Sequence, residues 1–437
     1  MKKIVSFFAL LVAVWFLCEL VSFVGLMAIH RGAPDFAELQ KARDTLLGNV
    51  EKSPQQALFE LPAALHPYLG TVHNPDADIP AEYHAGFHVN DYGFFDDKEP
   101  IQRKRKGRFV LGIFGGSVAW WLSTLGSQPL IDELKKSPYF HDKEIVIVRT
   151  ALGAYREPQQ LASLYYLLTL GAQFDAIVNL DGFNEMTLPL MHNVPKGVFP
   201  IYPTYWNDIL EPIISTGTQE WIGKLAFMES IRKSGAAFAS RPVLRMSPTV
   251  NLVWELFERV LGAKLSRLKL EHQQQKAGSA KLPYSIRGSK FHSGSEAEIS
   301  QDLAGYWRRA SVLMDAAAKS KGIEYFHFLQ PNQYVPGSKP ISEAEKKIAI
   351  DPTSDWKRLV ELGYPLLEKE IPRLQAAGVR FYDLTKVFEK DQTVLYNDNC
   401  CHLNLDGNAV LARAIARPIV ETYEKKGSSE GSDQDDN

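Results

Sequence analysis

Cysteine is scarce: three residues among 437, too few for a disulfide framework. Cys18 lies in the N-terminal apolar stretch. Cys400 and Cys401 are adjacent, and a bond between them closes a small, strained ring, so free thiols are expected. Charge of one sign is also lacking. The net charge is −2, and no basic field points to nucleic acid. Phosphate-binding loops are missing. Gly112, Gly115 and Gly116 do not fit G-x-G-x-x-G, and no Lys-Ser/Thr pair completes a P-loop. That argues against a nucleotide-binding flavodoxin-like domain. Metal-ligand spacing is missing too. Cys400-Cys401-His402 has no C-x-x-C or H-x-x-x-H beside it, and His66, His73, His84 and His88 lack helical ligand spacing. No metal site is expected from these residues. No internal repeat is visible.

What is present begins with one long apolar run, from Ile4 to Ile29 after Met1-Lys2-Lys3. As a helix it reaches about 39 Å, enough to cross a hydrocarbon core of about 30 Å with tilt. It is longer than a signal-peptide core of about 7–15 residues. An uncleaved anchor is expected, with Lys2 and Lys3 placing the N-terminus in the cytoplasm. The rest of the chain then lies outside the cytoplasm, in the periplasm if the envelope has one. Glu19 inside the span is unusual and marks a candidate contact with a partner helix.

The chain then divides by composition, which is 45% hydrophobic and 23% charged, as in globular domains. Residues 31–100 read as a helical stalk and a loop-rich lead-in. Residues 101–424 alternate strands and helices, with a helical insertion at about 195–300 whose clearest stretch is Val250–Leu270. Residues 425–437 read as a disordered tail. The first core strand runs from Phe109 to Phe114. After Gly115-Gly116, a helix is expected from Ser117 through Leu122, Leu125 and Leu130 to Leu134. Further strands are expected at Glu144–Val148, Phe174–Leu180, Ile323–Leu329 and Val379–Leu384, and a last helix at about Gly407–Tyr423. The expected fold is α/β: a three-layer α/β/α sandwich around a mostly parallel, flavodoxin-like sheet.

Three loops after these strands carry chemistry. Ser117 offers a hydroxyl at the first turn of a helix. Gly153 offers a backbone N–H, and Asn184 offers an amide. His402, on the loop before the last helix, offers an imidazole. Acyl transfer needs a nucleophile, a base and donors for the tetrahedral oxyanion. The set occurs as Gly115-Gly116-Ser117, Gly153, Gly182-Phe183-Asn184-Glu185 and Asn399-Cys400-Cys401-His402. In this order it resembles the four blocks of the SGNH (GDSL-type) hydrolase superfamily, over about Arg108–Glu424. More closely, the chain is similar to membrane-anchored bacterial members.

The resemblance implies that Ser117 is the nucleophile and His402 the base. It implies an oxyanion hole formed by the N–H groups of Ser117 and Gly153 and the side chain of Asn184, and it implies no metal and no organic cofactor. The sequence departs from the family pattern at Gly116 and Glu185, where the family has Asp. Asn399 holds the Asp-x-x-His position, with Asp398 one residue earlier. His402 is then oriented by Asp398, by the Asn399 amide or by a backbone carbonyl. The implied function is that of a serine esterase or O-acyltransferase; the expected location, with residues 4–29 in the membrane, suggests ester groups of cell-envelope glycans or lipids as its substrates. The alternative is a catalytically weak or inactive SGNH-like scaffold or binding protein in envelope assembly, with an envelope protein as its partner.

Overall fold

The computed structural model describes residues 2–48, 63–77, 79, 86–214, 216–277, 282–291 and 294–432. His84, the residues 49–60 at the end of the expected stalk, and 433–437 lie outside the described residues. The chain forms two compact units. One comprises Met1–Phe59 with Glu211–Lys281; the other comprises Glu60–Leu210 with Leu282–Asn437.

The first unit is helical, with helices Lys2–His30, Phe36–Gly48, Thr216–Ala239 and Pro248–Ala277. Lys2–His30 is long and apolar enough to cross a membrane, and its apolar window is unburied. Leu26, Leu39, Ala236, Ala239 and Trp254 form a small core. The Arg43 guanidinium lies over the Trp254 ring at 4.8 Å and donates to Asn251 Oδ1 at 2.7 Å. Glu19 has its partners here: its carboxylate accepts from Ser247 Oγ at 2.6 Å and from the Thr249 N–H at 3.1 Å. A carboxylate at the start of Pro248–Ala277 meets the unpaired N–H groups and positive end of that helix.

The second unit is built on a sheet. A small antiparallel hairpin, β1 (Ala63–His66) and β2 (Gly70–His73), precedes it. Five parallel strands follow: β3 (Arg108–Gly115), β4 (Glu144–Arg149), β5 (Ala176–Asp181), β6 (Glu324–Leu329) and β7 (Phe381–Asp383). Their order in the sheet is β4-β3-β5-β6-β7. Phe109, Val110, Leu111, Ile113 and Phe114 are all buried, as expected of a strand covered on both faces. The chain leaves β3 toward β4 and returns past β3 to β5. The crevice at the carboxyl ends of β3 and β5 is therefore the switch point where open α/β sheets bind ligands.

The strand ends shift by a residue or two from the sequence reading, and two helices differ more. The single helix expected from Ser117 to Leu134 is two helices, Ser117–Thr124 and Ser127–Leu134. Gly126 is a weak helix former, and Pro129 fits only the first turn of a new helix. The last helix, expected to end near Tyr423, runs through Pro418 from Leu405 to Ser432. The residues read as a disordered tail thus join it as far as Ser432.

Candidate active site

Ser117 reaches its position because two glycines precede it. Gly115 has φ +140°, and a Cβ there would lie 2.2 Å from Leu180 O on the neighbouring strand. A Cβ on Gly116 would lie 2.2 Å from Asn184 Nδ2 and 3.0 Å from Tyr155 O. A side chain at position 116 would therefore meet the Asn184 amide. Ser117 then opens its helix, where the first N–H groups have no intrahelical acceptor.

The other loops come to the same edge. Leu152 N–H donates to Gly115 O at 3.3 Å, which lays the Gly153 loop alongside the Gly115–Ser117 turn. Gly153 is exposed. Asn184 is buried and donates to Tyr155 O at 2.8 Å, which leaves one of its two amide protons for another acceptor. His402 Nε2 lies 2.7 Å from Ser117 Oγ, and its Nδ1 lies 2.5 Å from Asp398 Oδ2. With Nδ1–H donating to the carboxylate, Nε2 accepts from the serine hydroxyl. The His402 and Asp398 side chains are 26% and 38% exposed, so the pair opens to solvent.

Asp398, not Asn399, holds the imidazole. The one-residue shift is absorbed by the turn. Asp398 Oδ1 accepts from the N–H groups of Cys400, Cys401 and His402 at 2.9, 3.0 and 3.2 Å. This brings residue 402 back over the carboxylate. Burial alone would raise the Asp398 carboxyl. The His402 hydrogen bond and charge, with the N–H groups of Cys400 and His402, outweigh it and hold the carboxyl below its ordinary value.

The segment after β6 fixes this loop through its carbonyls, a set of contacts the sequence reading missed. Gln333 Nε2 donates to Asp398 O at 3.1 Å, Tyr334 OH to Asn399 O at 2.9 Å, and Asn332 Nδ2 to Cys400 O at 2.9 Å. The approach to the loop is held by a fully buried pair, Lys339 Nζ and Glu345 Oε2 at 3.0 Å. Lys339 also donates to Asp391 O and Thr393 O, and Glu345 Oε1 accepts from the N–H groups of Leu395 and Tyr396.

A second missed cluster lies beneath the Asn184 loop. Glu185 accepts from the N–H groups of Gly182 and Glu157 at 2.8 and 3.0 Å, so it joins the Asn184 and Gly153 loops. Asp181 Oδ1 accepts from Trp307 Nε1 at 2.7 Å and lies 2.9 Å from His327 Nε2. Burial, then the Asp181 charge, pushes the Glu185 carboxyl up to about 8 and Glu157 well above its ordinary value. The available signal was an acid closing an apolar strand, Asp181, followed by an acid three residues after Gly182 in capping register.

Cys400, Cys401 and His402 place their ligand atoms within 4.8 Å of one another, with the sulfurs 3.1 Å apart. Burial, then the Cys400 sulfur, holds the Cys401 thiol in its protonated form, whereas a metal needs thiolate. Both His402 nitrogens already have partners. The donors suit an oriented imidazole better than a metal ligand set.

A scan against protein-family models gives no match for this chain, and a search of curated proteins gives none.

Proposed function

We propose that the chain is a membrane-anchored serine hydrolase of the SGNH type, an esterase or O-acyltransferase working through an acyl-enzyme. The observation that carries the reading is the unbroken chain of contacts Ser117–His402–Asp398 at the switch point of a parallel sheet. Ser117 Oγ attacks an ester carbonyl carbon while its proton passes to His402 Nε2. Asp398 stabilises the imidazolium. The oxyanion is met by the N–H groups of Ser117 and Gly153 and the free amide proton of Asn184. His402 then returns the proton to the departing alcohol. Water or a sugar hydroxyl, deprotonated by His402, releases the acyl group from Ser117.

The strand order supports a three-layer, flavodoxin-like sandwich as the scaffold. The apolar helix and Lys2-Lys3 support a cytoplasmic N-terminus with the sheet unit outside the cytoplasm. Esters of envelope glycans or lipids are then the substrates within reach. A scaffold without catalysis has no need of an imidazole bonded on both sides.

Hydrolysis of a short-chain aryl ester by the full-length protein tests the reading. Activity in the wild type is expected to fall by about 10⁴ or more in Ser117→Ala and in His402→Ala. Turnover unchanged by Ser117→Ala would overturn it.

A further inference from the structure

The insertion carries its apolar tip to the depth of Glu19. Helices Thr216–Ala239 and Pro248–Ala277 are joined by a turn containing Val243 and Met246, which are 84% and 63% exposed. Phe238 and Val253 flank it and are also exposed. Arg241 and Arg245 stand exposed on the same turn, with the Arg241 guanidinium 5.1 Å from the Phe238 ring centroid.

This tip is fixed against the apolar helix Lys2–His30 by contacts that advance in step. Glu19 meets Ser247 and Thr249, a Cβ on Gly25 would lie 3.1 Å from Leu252, and His30 lies 2.8 Å from Glu255. The two helices therefore run in the same direction. A hydrocarbon core of about 30 Å takes about 20 residues of helix. Wherever such a stretch is placed within residues 4–29, Glu19 lies inside it. The turn bonded to Glu19 lies at the same depth.

Resting on the reading that residues 4–29 cross a bilayer, we propose that the 238–253 tip is a membrane foot. It inserts Phe238, Val243, Met246 and Val253 into the leaflet on the His30 side, with Arg241 and Arg245 reaching back to lipid phosphates. The occupant is lipid for two reasons. The exposed apolar residues belong to the turn that is bonded to the spanning helix, whose own apolar window is unburied, and the arginines complement phosphate rather than an apolar protein groove. The arginines also select the shallow placement, with hydrocarbon over about residues 4–23 and Glu19 roughly 6 Å below its edge. Glu19 and the start of the 248–277 helix satisfy each other there, which offsets the cost of a carboxylate at that depth.

The test uses the full-length chain with its three cysteines replaced, in phosphatidylcholine–phosphatidylglycerol vesicles. Single nitroxide labels are placed through Val243→Cys, Met246→Cys, Val12→Cys and Tyr165→Cys. Collision with oxygen and with a water-soluble nickel chelate reports depth. At positions 243 and 246 the nickel collisions are expected to fall several-fold below those at 165 while oxygen collisions rise. The double change Arg241→Glu, Arg245→Glu is expected to return the 243 label toward water. Labels at 243 and 246 as open to nickel as 165, with the label at 12 in lipid, would overturn the foot alone. A water-exposed label at 12 would remove the anchor and the foot together. Shielding from both reagents that grows with protein density would assign the surface to a second copy and overturn the lipid assignment.

Discussion

At the residue scale the account turns on a few atoms at the ends of β3 and β5. Gly116 has no room for a methyl group, because Asn184 Nδ2 lies 2.2 Å from where it would stand. Gly116→Ala is expected to push the Asn184 amide aside and lower ester turnover by about 10²–10³, the usual loss of one oxyanion donor. Steady-state kinetics on the aryl ester check this, and turnover equal to wild type would contradict it. Ser117 and His402 were legible in the sequence because each follows its own strand or turn signal. The orienting residue was narrowed to Asp398, with the Asn399 amide and a backbone carbonyl as alternatives. Asp398 and Asn399 differ by one position, and only the turn in which Asp398 Oδ1 gathers three successive N–H groups decides which side chain faces the ring.

At the element scale, strand and helix alternation carried most of the parallel sheet, because buried apolar runs such as Phe109–Phe114 and Ala176–Leu180 depend only on local pattern. Contacts across long sequence distance were not legible. The Asn332–Tyr334 segment bonds to carbonyls more than sixty positions away, and nothing local to either stretch announces it. The buried Lys339–Glu345 pair belongs to the same support. Lys339→Met is expected to leave the Glu345 carboxylate buried without its cation and to cost about 3–5 kcal/mol by urea unfolding. A loss below about 1 kcal/mol would mean the pair carries little of the loop's stability. Helix ends were the other weak point. The break between Thr124 and Ser127 has a local cause in Gly126 and Pro129 that the apolar spacing from Leu122 to Leu134 masks, and the continuation past Tyr423 runs through Pro418, a residue read as a helix kink.

At the scale of the whole molecule, the cluster of buried acids sets a pH dependence. Glu157 and Glu185 hold protons in the folded chain that the unfolded chain releases. Their pKa values are raised by burial and by neighbouring carboxylates, to about 8 for Glu185. Stability contributed by a raised acid is present below about pH 4.5 and is lost as pH rises toward 8. Asp398 acts in the opposite sense, but its lowered pKa places that loss below pH 3.8, outside this window. The acid pair is therefore expected to lower the melting temperature between about pH 5 and pH 8, against the His66 and His192 imidazoles, whose lowered pKa values act in the opposite sense. Glu157→Gln, which copies the neutral acid, is expected to remove part of the acid pair's share and melt about 2 °C or more above wild type at pH 8, with the difference shrinking toward pH 5. Thermal melts across this range check it, and a difference between the two proteins that does not change with pH would contradict it.

The most direct test of the central claim is reaction of the full-length protein with a fluorophosphonate, followed by peptide mapping of the adduct. The account predicts one adduct, on Ser117. It predicts a labelling rate about 10²–10⁴ lower in Asp398→Asn and within about threefold of wild type in Asn399→Ala. A folded wild type that takes no label, or that takes it on another residue, would contradict it.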